Sequence, residues 1–179
     1  MKKFLWSLFE MFETVAIAIV AVLLVRSFVT QPFLVSGSSM EPTFNDGNYL
    51  LIDELSYNFR APERGEVVVF KYPNDPSSYF IKRIIGLPNE TVTIRGGKVS
   101  VKDARGTEVL SEPYVLQGDT ASNAERVLGG AEYFVMGDNR NFSFDSRNWG
   151  PVPATNIVGV VRFRLWPLNE AMAFSAPHY

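Results

Sequence analysis

The residues best placed to do chemistry fall in three short stretches. In the first, Ser36-Gly37-Ser38-Ser39-Met40-Glu41-Pro42-Thr43, hydroxyls crowd around a glycine. Apolar Phe33-Leu34-Val35 leads in and the stiff Pro42 follows, so the serines belong to a fixed turn, although composition alone also suits a linker. A serine attacks a carbonyl only when a base takes its proton. The chain has no Cys, which excludes thiol catalysis, disulfides and Cys-ligated metals. Its single histidine, His178, is the penultimate residue, a poor place from which to build a Ser-His-Asp triad. Any base for a serine must be another kind of side chain.

The second stretch, Tyr79-Phe80-Ile81-Lys82-Arg83-Ile84-Ile85-Gly86-Leu87-Pro88, supplies one. With strand alternation Lys82 shares a face with Phe80 and Ile84, while Ile81, Arg83 and Ile85 take the other. An ammonium on an apolar face loses hydration, which lowers its pKa and frees the neutral amine as a base. The plainer alternative is a lysine that snorkels from an edge strand. Lys71, Lys98 and Lys102 lie at strand ends or beside glycines and suit solvent. In the third stretch, Gly137 to Gly150, Asp138, Arg140, Asp145 and Arg147 are interleaved with Asn139, Asn141, Ser143, Phe142, Phe144 and Trp149. Such a loop either pairs its own charges and does nothing more, or is a rigid frame that holds groups against a site.

The elements that must position these groups are mainly β. Alternating or β-branched runs predict strands at Tyr49–Ile52, Val67–Tyr72, Tyr79–Ile85, Thr91–Arg95, Lys98–Lys102, Tyr133–Met136 and Ile157–Leu165. Arg95-Gly96-Gly97-Lys98 reads as a tight hairpin. Arg162 and Arg164 alternate with Phe163 and Leu165, which predicts a strand with one solvated face. The polar run from Asp103 to Gly130 lacks periodicity and is expected to leave the main sheet, so a small β or loop excursion is placed at about 90–132 within a domain of 30–179.

Ahead of that domain, residues 1–29 read as a membrane anchor. Val15 to Val25 alone would rise about 16 Å as a helix, short of a ~30 Å hydrocarbon core, but Phe4 to Val25 is long enough to span. Glu10 and Glu13 share one helical face near the end of that run. No small-x-small site follows Val25, which favours an uncleaved anchor over a removable leader. Lys2 and Lys3 predict a cytoplasmic N-terminus and a domain outside. With 17 Lys and Arg against 19 Asp and Glu, a net charge of −2 offers no general field for nucleic acid.

Taken in order, the three stretches resemble those of type I signal peptidases, membrane-bound Ser-Lys endopeptidases that cut signal peptides from exported proteins. The likeness is carried by Ser-Met-x-Pro-Thr at Ser39 to Thr43, Arg-Gly-Glu and a strand at Arg64 to Tyr72, Lys-Arg with Gly-x-Pro at Lys82 to Pro88, and Gly-Asp-Asn-Arg with Ser-x-Asp-Ser-Arg at Gly137 to Arg147. It implies an antiparallel β catalytic domain with a small β appendage, Ser39 as nucleophile and Lys82 as general base. Ser143 falls where the family has a serine that bonds the lysine amine, and Asp138, Arg140, Asp145 and Arg147 where it has a structural polar frame. Phe33, Val35, Phe80 and Ile81 would line shallow pockets for the small residues of a small-x-small cleavage site. Gly37 replaces a serine that supplements the oxyanion hole in some members, so with Ser38 beside it the oxyanion would lean on backbone N–H groups, that of Ser39 included. The resemblance implies no cofactor or metal. The partners it implies are preprotein signal peptides, the lipid bilayer and the neighbouring export machinery, at the plasma membrane with one spanning segment. Two rivals remain: a self-processing Ser-Lys peptidase of the repressor type, and a membrane-tethered β scaffold without activity.

Overall fold

A computed structural model describes residues 6, 9–20, 32–115 and 123–177. Residues 9–20 are helical (α1), and the expected span continues into residues outside those described. Among the described residues no helix is long and apolar enough to cross a membrane.

The remainder is mainly antiparallel β. The strands are β1 (Pro32–Leu34), β2 (Tyr49–Asp53), β3 (Val67–Tyr72), β4 (Asp75–Gly86), β5 (Thr91–Arg95), β6 (Lys98–Asp103), β7 (Gly106–Val109), β8 (Ala124–Val127), β9 (Glu132–Met136), β10 (Val152–Pro153), β11 (Ile157–Trp166) and β12 (Met172–Ala173). A short helix, α2, covers Ser146–Trp149. One sheet runs β1-β2-β11-β3-β4-β9-β10, with β12 paired to β11, and a second runs β7-β6-β5-β8. The β5–β6 hairpin turns through Gly96 (φ 53°) and Gly97 (φ 76°), a left-handed pair that side chains would strain.

The alternation read from the sequence places the apolar groups. Met40, Phe44, Leu50, Ile52, Val67, Val69 and Val161 form one core, and Val68, Phe70, Ile84, Val135 and Val152 another on the opposite face of β3 and β4. A third core, with Val92, Ile94, Val99 and Val101, joins the second sheet to Ile85, Phe134 and Met136.

The solvated face expected of β11 is turned inside out. Arg164 is 9% exposed, whereas Phe163 and Leu165 are 45% and 41% exposed. Register shifts at Val161/Phe163 and Arg164/Trp166 change the alternation. Arg164 turns inward because it finds acceptors there, donating to the carbonyls of Glu170 at 2.9 Å and Thr43 at 3.1 Å.

The long β4 positions the site. It pairs with β3 through Tyr79 to Arg83 but meets β9 only from Arg83 onward, leaving one edge of Tyr79–Lys82 without a strand among the described residues. The sheet curls until β1, itself an edge, approaches that gap, with the rings of Phe33 and Tyr79 5.6 Å apart.

Candidate active site

The gap between β1 and β4 is a cleft of about 460 Å³. Phe33, Val35, Phe80 and Ile81 all line it, together with Gly37, Ser38, Ser39 and Lys82. Ser39 follows the turn that leaves β1, and the buried Met40 and Phe44 pin the far side of that turn into the core. Lys82 Nζ lies 2.8 Å from Ser39 Oγ and donates to the Ile81 carbonyl at 2.8 Å. Its amine sits 5.5 Å from the centre of the Phe80 ring.

Burial pushes the Lys82 amine down from 10.5 to about 8, against the opposing pull of the Asp145 and Asp138 carboxylates. That pull is limited because both acids have cationic partners. Arg83 donates to Asp138 through Nε at 2.8 Å and Nη2 at 2.6 Å. Arg147 donates to Asp145 through Nε at 2.8 Å and Nη2 at 2.9 Å. Arg140 pairs with neither acid; its guanidinium bonds Glu112 at 2.5 and 3.0 Å.

The frame residues hold the backbone of Ser39. Asp145 caps α2, accepts from the Gly137 N–H at 3.0 Å and from Ser143 Oγ at 2.7 Å. The Ser143 hydroxyl is thus spent on Asp145, and the bonds of the Lys82 amine go to Ser39 and Ile81 instead. Gly137 is tightly enclosed: a Cβ there would stand 2.3 Å from Ser143 Oγ and 2.4 Å from the Ser39 carbonyl oxygen. Asn139 bonds the Ser39 carbonyl through its N–H at 3.1 Å and the Ser38 carbonyl through its amide at 3.0 Å. Thr43 donates to Asp138 at 2.5 Å, tying the serine turn to the same frame.

For the oxyanion, the Gly37 N–H is unsuited, because it donates to Asp46 at 2.7 Å. Among the described residues nothing accepts from the Ser38 or Ser39 N–H, so both are open to a ligand in the cleft. Ser38 lines the cleft, its carbonyl held by Asn139.

Asn139, Thr43, Gly137 and Glu112 gained no role from the sequence. An amide or hydroxyl in a polar run carries no sign of which distant carbonyl it will meet, and Glu112 sits in the stretch without periodicity. Among the described residues no group of acidic or histidine side chains is arranged to hold a metal.

Known proteins are similar in sequence to this chain over most of its length. Signal peptidase I from Leptolyngbya laminosa is 35% identical over 95% of this chain and 85% of its own. The probable signal peptidase I-1 of Synechocystis is 39% identical over 86% of this chain and 80% of its own. Signal peptidase I V of Bacillus subtilis is 35% identical over 90% and 98%. The chain is accordingly a peptidase. Residues 8–166 match the family described as signal peptidase, peptidase S26, and the chain belongs to that family.

Proposed function

We propose that the chain is a membrane-tethered serine endopeptidase that removes signal peptides from exported preproteins, with Ser39 as nucleophile and Lys82 as general base. The observation that carries this is the 2.8 Å approach of a buried, unpaired amine to a hydroxyl at the wall of an open cleft. A neutral amine has two hydrogens and a lone pair. The Ile81 carbonyl takes one hydrogen, which leaves the lone pair available to accept from the Ser39 hydroxyl.

In the reaction Ser39 Oγ attacks the scissile carbonyl carbon as Lys82 accepts the hydroxyl proton. Negative charge gathers on the carbonyl oxygen and is met by the Ser39 N–H. Lys82 passes its proton to the leaving amine as the peptide bond breaks, leaving an acyl-Ser39 ester. Lys82 then takes a proton from a water that attacks the ester, and returns it to Ser39 as the signal peptide departs.

Substrate enters as an added strand between β1 and the open edge of β4, where backbone bonding gives affinity without reading sequence. Phe33, Val35, Phe80 and Ile81 line the cleft, and their apolar side chains support pockets for the small residues of a small-x-small site. Residues 1–29 anchor the chain with its N-terminus in the cytoplasm. The β1–β2–β11 surface supports a seat against lipid: Leu34, Tyr49, Phe163 and Trp166 are exposed there, Leu168 is exposed just after β11, and β1 follows the proposed anchor in the chain. The cleft then lies at the outer face of the plasma membrane, beside the export machinery that delivers its substrates.

The test is incubation of the detergent-solubilised chain with a preprotein. Cleavage after a small-x-small site is expected from the native chain and is lost in Ser39→Ala and in Lys82→Ala, both still folded. An intact preprotein with the native chain would support the scaffold instead.

A further inference from the structure

The segment that follows β7 touches both halves of the catalytic pair's support. It is fixed at its root by Leu110, which is buried in the core of that sheet and donates its N–H to the Val99 carbonyl at 2.9 Å. Two residues on, the Glu112 carboxylate accepts from both terminal nitrogens of Arg140, at 2.5 and 3.0 Å. The Tyr114 hydroxyl donates to the same carboxylate at 3.1 Å, and the Tyr114 ring covers the Arg83 guanidinium with its centre 3.9 Å from Cζ.

Each arginine leads to one reacting group. Arg140 folds back through Nε onto the Gly137 carbonyl at 3.1 Å and so closes the Gly137–Arg140 turn, from which Asn139 holds the carbonyls of Ser38 and Ser39. Arg83 follows Lys82 on β4 and is locked by Asp138 and by the Gly65 carbonyl at 2.8 Å. A bidentate carboxylate and a stacked ring fix the plane of a guanidinium, which a single point contact does not.

We infer that Glu112 and Tyr114 are positioning residues of the peptidase reaction, holding Ser39 through Arg140 and Lys82 through Arg83. This rests on Ser39 and Lys82 being the reacting pair. Without Glu112, Arg140 keeps a buried fork with no carboxylate, and the turn behind Ser39 loses its closure. Misplacement of a nucleophile by a fraction of an ångström lowers the rate of the chemical step more than substrate affinity.

The experiment uses the full chain in detergent with a peptide spanning a signal-peptide cleavage site. Glu112→Ala is expected to lower kcat about tenfold or more, with KM changed by less than about twofold. Tyr114→Leu lowers kcat in the same way, and Tyr114→Phe, which restores the ring, recovers most of that loss. Tyr114→Leu strands no charge, so it carries the test if Glu112→Ala fails to fold by circular dichroism. Because Glu112 acts through Arg140, the double variant Glu112→Ala/Arg140→Ala is expected to be no slower than Arg140→Ala alone. Native kcat in folded Glu112→Ala and Tyr114→Leu, or losses that multiply in the double variant, would overturn the inference. Ser39→Ala run alongside separates the two layers. Activity in that variant sinks the assignment of the pair, whereas an inactive Ser39→Ala beside native kcat in Glu112→Ala sinks only the positioning role of Glu112.

Discussion

On one face of β4 Lys82 follows Phe80, its amine 5.5 Å from the centre of that ring; on the other, one residue along, the Arg83 guanidinium is enclosed by Asp138, the Gly65 carbonyl and the Tyr114 ring. Both side chains belong to residues only 5% exposed. Burial of a charge is costly unless it is paired, and the fold resolves this in two ways. Arg83 keeps its charge because a carboxylate and a carbonyl replace its water. Lys82 is given a hydroxyl and a carbonyl but, among the described residues, no carboxylate partner, so its amine loses its proton more readily. One side of the strand is built to hold a charge and the other to shed one, and the proposed reactivity belongs to the second.

Lys82→Met breaks the contrast most severely. Loss of a general base is expected to lower kcat/KM on the order of 10²–10⁴-fold or more in the peptide assay. Stability should move the other way. The depressed amine means that the unfolded chain binds more protons than the folded one between about pH 8 and 10.5. The native chain therefore carries its full penalty below pH 8 and loses it as pH rises through that window. Lys82→Met should gain up to about 3 kcal/mol in denaturant unfolding at pH 7, and the gain should fade by about pH 10.5.

Asp138→Ala acts on the opposite face. It strands Arg83 in the interior and is expected to cost about 3–5 kcal/mol of unfolding free energy. Gly137→Ala forces a methyl against Ser143 and the Ser39 carbonyl, at about 1–3 kcal/mol, with peptidase activity falling as the serine turn shifts. Phe80→Ala should be the mildest in rate. It admits water to the amine, raises the Lys82 pKa toward its ordinary value and lowers activity at pH 7, with recovery as pH is raised. An unchanged pH profile in Phe80→Ala would mean that the ring does not help to dry the amine.

Much of the reactive face could be read from the chain because alternation is local. Phe80, Lys82 and Ile84 share a face as the two-residue period requires, and the glycines of Arg95–Lys98 mark a hairpin that forms as expected. Arg162–Leu165 misled because bulges change the alternation and because the acceptors that draw Arg164 inward belong to Thr43 and Glu170, distant or beyond the strand. The pairing of the frame was legible only as a set of charges. Asp145 takes Arg147 two residues along, a pairing within the loop that the sequence allowed, whereas that Arg83 takes Asp138 and Arg140 takes Glu112 depends on how distant segments meet, which no local pattern encodes. Ser143 departs from the resemblance for a local reason: its hydroxyl turns to Asp145 two residues along.

The most direct test of the central claim is kcat/KM of the native chain as a function of pH, since this profile reports the free enzyme's base. Activity is expected to fall as pH drops, with a midpoint at about 8 where Lys82 gains its proton. Activity that holds constant through that region and declines only in the ordinary carboxylate range would contradict an uncharged lysine as the base.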